Sequence, residues 1–86
     1  MPKLIATHTV DDVAHWSASP KRAEVFGGVA TDIRTFVNPS RPNHVGLSME
    51  VADLAAFQAV MESEAGAEAM KYDGVHADTV VVYVEA

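Results

Sequence analysis

The feature that most constrains this chain is that its two halves repeat one pattern. Each half reads as a strand, an acidic helix start, a second helical segment led by serine, and a Gly-Val exit into another strand. In the first half these are Leu4 to Val10, Asp11, Ser19-Pro20, Gly28-Val29 and Ile33 to Val37. In the second they are Val45 to Val51, Asp53, Ser63-Glu64, Gly74-Val75 and Val80 to Val84. A doubled strand-helix-strand unit in 86 residues leaves room for one domain, spanning 1-86, with one sheet. A chain this short buries only about 60 to 65% of its unfolded surface, so its own core gives thin stability. Cysteine is absent, so no disulfide can supplement that core, and self-association is the expected supplement.

Leu4, Ala6, His8 and Val10 fall on one face of the first strand, and Ile5, Thr7 and Thr9 on the other. Asp11 is placed to cap the following helix, with Asp12 adding charge near the positive end of its dipole. Val13 and Trp16, three apart, share the buried face. Ser19-Pro20 restarts the helix, Ala23 and Phe26 continue the inward stripe, and Gly27-Gly28 ends it with one glycine in the left-handed conformation. Residues 38–43, Asn-Pro-Ser-Arg-Pro-Asn, form a turn-rich hairpin loop. The third strand sets Val45, Leu47, Met49 and Val51 against His44, Gly46, Ser48 and Glu50. Asp53 caps the next helix, whose inward stripe is Leu54, Phe57 and Met61; Ser63 recaps a shorter segment that Gly74 closes.

The last strand, Val80 to Val84, is apolar on both faces, although helices on one side of a sheet can cover only one of them. Its other face, carrying Val81 and Tyr83, therefore calls for a partner, and the simplest is a second copy of the chain. With a net charge of −6 and six scattered basic residues there is no positive stripe for nucleic acid or an anionic membrane. No apolar run approaches the roughly 20 residues that span a bilayer. The strand-like start leaves no room for a secretion signal, so a cytoplasmic location is expected.

The βαββαβ order with broken helices and a doubly apolar final strand resembles the dimeric α+β barrel superfamily of ferredoxin-like domains. The most family-like stretches are Leu4-Ile5-Ala6-Thr7-His8-Thr9-Val10-Asp11-Asp12 with Trp16 following, and residues 63–75 from Ser63 to Val75. The resemblance implies a four-stranded antiparallel sheet with two broken helices on one face. It also implies homodimers whose sheets pack face to face and a ligand cavity between sheet and helices. The superfamily holds cofactor-free monooxygenases of polyketide quinones, haem-degrading enzymes, polyketide cyclases and lactone isomerases. The haem-degrading pattern, with an Asn on the first strand, does not carry over: that strand holds His8, and Asp53 to Asp73 contains no histidine.

Residues assigned inward that would line such a cavity are His8, Val10, Trp16, Phe26, Leu47, Met49, Phe57 and Met61. His8 is the one titratable group on an apolar strand face. It is either a general base for an acidic phenol or β-keto proton or a core histidine bonded to a neighbour. The aromatic and thioether side chains Trp16, Phe26, Met49, Phe57 and Met61 are either a wall for a flat ligand or simply core. His15 is spaced to pair with Asp11 or Asp12 on the exposed side of the helix, and His44 and His76 are surface residues. No two histidines have zinc spacing, and no phosphate-loop or Gly-x-Ser-x-Gly pattern occurs, so neither metal nor cofactor is expected. Two functions remain. One is a homodimeric small-molecule-binding or scaffold domain. The alternative is a cofactor-independent monooxygenase or cyclase acting on an aromatic or polyketide-like substrate, with His8 as base.

Overall fold

The computed structural model describes residues 2–86. In chain order the elements are β1 (Lys3–Thr9), α1 (Val13–Ala18), α2 (Lys21–Phe26), β2 (Thr31–Val37), β3 (His44–Glu50), α3 (Leu54–Met61), α4 (Glu64–Tyr72), a 3-10 turn (Ala77–Thr79) and β4 (Val81–Val84). The four strands form one antiparallel sheet in the order β2-β3-β1-β4. This is the ferredoxin-like α+β arrangement, with each helical half broken in two.

Alternation places Leu4, Ala6 and His8 of β1 beside Val45, Leu47 and Met49 of β3, all buried on the helix-facing side. Trp16, Phe26 and Phe57 close the core from above, Phe26 against Phe57 with ring centroids 5.6 Å apart. Asp53 accepts from the N–H groups of Ala55 and Ala56, and Ser63 accepts from Gly66, so both second-half caps form where expected.

Four local expectations are corrected. Asp12, not Asp11, caps α1, accepting from the His15 N–H; Asp11 instead turns toward the exit of α4, where its N–H donates to the Gly74 carbonyl and its carboxylate meets His76. Gly27 is right-handed (φ −59°), and the left-handed turn falls at Gly74 (φ 70°), where the chain reverses after α4 to bridge Val75 with Val10. The stripe on α2 is rotated: Ala23 is exposed, whereas Arg22, Val25 and Phe26 turn inward. Leu54 is likewise 40% exposed, leaving Phe57 and Met61 as the inner side of α3. A further irregularity sits at the start of β2, where Asp32 (φ 52°) accompanies a bulge that offsets β2 against β3.

β4 is a four-residue edge strand paired only with β1. Val81 and Tyr83 stand on the open sheet face at 45% and 60% exposure, near Ile5 at 46%. Val82 and Val84, on the helix-facing side, are also exposed, at 42% and 45%. Among the described residues no helix is long and apolar enough to cross a membrane.

Candidate functional site

Between sheet and helices lies a cavity of about 60 Å³. Seven of the eight residues assigned from sequence border it: His8, Trp16, Phe26, Leu47, Met49, Phe57 and Met61. Val10 is fully buried elsewhere in the core and does not. Of the lining residues Val82 is the most exposed, at 42%, and Arg22, Met61, Met70, Val75 and Val80 are partly exposed, so the cavity opens beside β4.

His8 reaches the cavity because it is the third inward position of β1. Its ring meets Trp16 edge to face, with centroids 5.5 Å apart and planes at 72°. Its Nε2 is buried with no hydrogen-bond partner. Burial, aided by the nearby Arg22 charge and opposed by Asp73, lowers its pKa from 6.5, so the imidazole is neutral at pH 7.

Two charged residues that the sequence reading passed over complete the inner end. Arg22 enters from α2, where Ser19 Oγ accepts the Lys21 N–H and sets the start of the helix. Its guanidinium lies over the Trp16 ring, Cζ 4.6 Å from the centroid, and its Nη2 donates to the Ser17 carbonyl at 3.5 Å. Asp73 caps the end of α4, its N–H bonded back to the Ala69 and Lys71 carbonyls, immediately before the Gly74 reversal. Their side chains are 12% and 4% exposed, and Arg22 Nη1 lies 3.6 Å from Asp73 Oδ2. That is an ion-pair distance, too long for a hydrogen bond, and both Arg22 Nη1 and Asp73 Oδ1 are without hydrogen-bond partners. Burial pushes the Arg22 pKa down and Asp73 pulls it back up.

Three unpartnered polar atoms, on His8, Arg22 and Asp73, thus belong to residues that all border one otherwise apolar cavity. Trp16 is the wall shared by His8 and Arg22. The arrangement sets a neutral base, a cationic donor and an anionic acceptor around the Trp16 ring. A signal for Arg22 was present: it stands three and four residues before Val25 and Phe26, the spacing of one helix face. Asp73 similarly follows the buried Gly66 and Ala69 by seven and four.

The remaining candidates lie apart from this cavity. The His15 ring donates from Nε2 to the Tyr72 carbonyl at 2.8 Å and packs on the Tyr72 ring, rather than pairing with Asp11 or Asp12. Tyr72 is half exposed, with Lys21 Nζ over its ring. His76 is exposed and His44 partly buried at the start of β3. Val81 and Tyr83 occupy the opposite sheet face. Among the described residues no three His, Cys, Asp or Glu side chains are grouped to hold a metal ion.

No protein-family model matches the chain, and no curated protein matches it by sequence. Solved structures do resemble it. A protein named as an antibiotic biosynthesis monooxygenase superposes with a TM-score of 0.66 at 18% identity, over 100% of this chain and 97% of its own. A Bordetella bronchiseptica protein provisionally given the same name reaches 0.68 at 13% identity, over 99% and 94%. A Bacillus halodurans protein of the ethyl tert-butyl ether D family reaches 0.62 at 17% identity, over 100% and 97%. At these identities the shared property is the ferredoxin-like α+β fold, which spans nearly the full length of each of these chains.

Proposed function

We propose that the cavity binds a small aromatic or polyketide-like molecule and that His8 removes its acidic proton, in a cofactor-independent oxygenation or cyclisation. One observation carries this reading: a buried, unpartnered imidazole nitrogen on an apolar cavity that opens to solvent. A histidine serving only as core would have its ring nitrogens bonded, since an orphaned buried polar group costs about 1 to 3 kcal/mol. The lowered pKa keeps the ring in the form that accepts a proton. The monooxygenase names of structurally similar proteins agree with the oxygenation branch. For an anthrone-type CH2, loss of a proton to His8 leaves a carbanion that reacts with O2. One oxygen becomes the new carbonyl, and the other leaves as water with the two hydrogens lost from carbon.

Assembly through the open sheet face belongs to the same proposal. Its support is the exposed apolar surface of Ile5, Phe36, Val81 and Tyr83.

The test is O2 uptake and quinone absorbance with a panel of anthrones and naphthols, for the native chain and His8→Ala. Native turnover falling about a hundredfold or more in the variant is expected for loss of a general base. Absence of turnover across the panel, or equal turnover by the variant, refutes the proposal.

A further inference from the structure

We propose that the inner end of the cavity recognises a neutral ligand edge carrying a hydrogen-bond acceptor beside a donor, as in an enol-ketone, hydroxy-carbonyl or amide. Arg22 Nη1 donates to the acceptor, and Asp73 Oδ1 accepts from the donor. This rests on the cavity being a ligand site, and it specifies which polar end the ligand presents.

The assignment follows from which atoms lack partners. A guanidinium nitrogen can only donate and a carboxylate oxygen can only accept, so the two orphans require opposite complements. Both side chains are almost entirely buried. Leaving either atom unmade is costly, and a ligand that satisfies both at once recovers the whole of that cost. Because the two charges sit 3.6 Å apart, their sum at the site is zero. A carboxylate ligand would gain Arg22 only by approaching Asp73, and like charges at such separation repel. An isolated carbonyl would leave Asp73 unsatisfied. The remainder of the lining, including Phe26, Leu47, Met49 and Phe57, offers only apolar contact, while the Trp16 ring beneath the guanidinium favours a flat body.

Benzamide, acetophenone and benzoate share nearly one shape and differ in that edge: acceptor plus donor, acceptor alone, and two anionic acceptors. Each is titrated into the full chain and followed by fluorescence of Trp16, the only tryptophan. Benzamide binding about tenfold more tightly than either of the others is the expected result, the scale of one buried group left unpaired. In the double variant Arg22→Met/Asp73→Leu the preference disappears, and acetophenone binds at least as well as benzamide. Benzoate binding best, acetophenone equalling benzamide in the native chain, or no binding by any probe overturns the proposal. The comparison among probes in the native chain does not depend on any variant folding. Turnover that needs His8 without the benzamide preference would remove this recognition and leave the base standing. The preference without turnover would do the reverse.

Discussion

The Arg22–Asp73 pair is predicted to be a liability for folding. Both side chains are taken out of water, yet they stand 3.6 Å apart and each keeps an unsatisfied atom, so attraction recovers only part of their desolvation cost. Removing one partner leaves the other charge buried alone, a loss of about 3 to 5 kcal/mol in comparable pairs. The residual exposure of Arg22 argues for the lower end, about 3 kcal/mol. An 86-residue chain has only about 4 to 13 kcal/mol in total, so Arg22→Met or Asp73→Leu alone should bring it close to unfolding. The double variant should differ: Met keeps an unbranched side chain beside Trp16, Leu keeps the branching of Asp73 with apolar atoms, and no charge is stranded. It is expected to be at least as stable as the native chain. Urea denaturation, followed by far-UV circular dichroism so that changes around Trp16 do not bias the signal, gives the four free energies of the cycle. Single variants within about 1 kcal/mol of native, the worth of a surface pair, would show that the pair is not effectively buried. A double variant less stable than either single would show that it supports the fold.

Gly66→Ala is expected to cost about 1 to 3 kcal/mol in thermal melts, because a Cβ there would clash with the Val60 carbonyl oxygen, which only a backbone shift can relieve; unchanged melting would refute this. Asp53→Ala removes the acceptor for two N–H groups at the start of α3 and should lose about 1 kcal/mol by denaturation. Val81→Asp should convert a native dimer to monomer in sedimentation, since a buried unpaired charge costs several kcal/mol; a native monomer, or an unchanged dimer, would remove the sheet face as the contact. For His8 the folded pKa lies below 6.5, so below that pH the unfolded chain binds a proton that the folded chain does not. Its contribution is therefore full above pH 6.5 and is lost as pH falls toward the folded value, and a His8→Gln variant should show a correspondingly flatter acid limb.

The two central strands, β1 and β3, were legible because each alternates cleanly. Leu4, Ala6 and His8, then Val45, Leu47 and Met49, needed nothing beyond period two to find their face. The caps at Asp53 and Ser63 were legible because each stands just before a helical run. The end of α2 was misread because a Gly-Gly pair looks like a left-handed stop, while the tertiary need for one lies at Gly74, under the Asp11 side chain. The inner end of the cavity was missed for a related reason. Between Ala23–Phe26 and Arg22–Phe26, hydrophobicity selects the alanine; the fold selects the arginine, whose guanidinium lies over the Trp16 ring on the other side of the Ser19-Pro20 break. Asp73 shares a face with the buried Gly66 and Ala69, and a glycine has no side chain to mark that face as apolar.

β4 was read as apolar on both sides, and the sheet order explains what that composition does. As a four-residue edge strand it bonds β1 alone, through Leu4 to Thr7. Period two then divides its side chains between two tasks. Val82, with Val80 just before the strand, borders the cavity mouth, while Val81 and Tyr83 project from the opposite face. A polar residue on the inner side would wet the entrance to a pocket whose three polar groups depend on a low dielectric for their strength. One on the outer side would leave the cavity intact and alter only what the open face can bury against. The two sides of this strand are therefore separable by mutation even though adjacent residues form them.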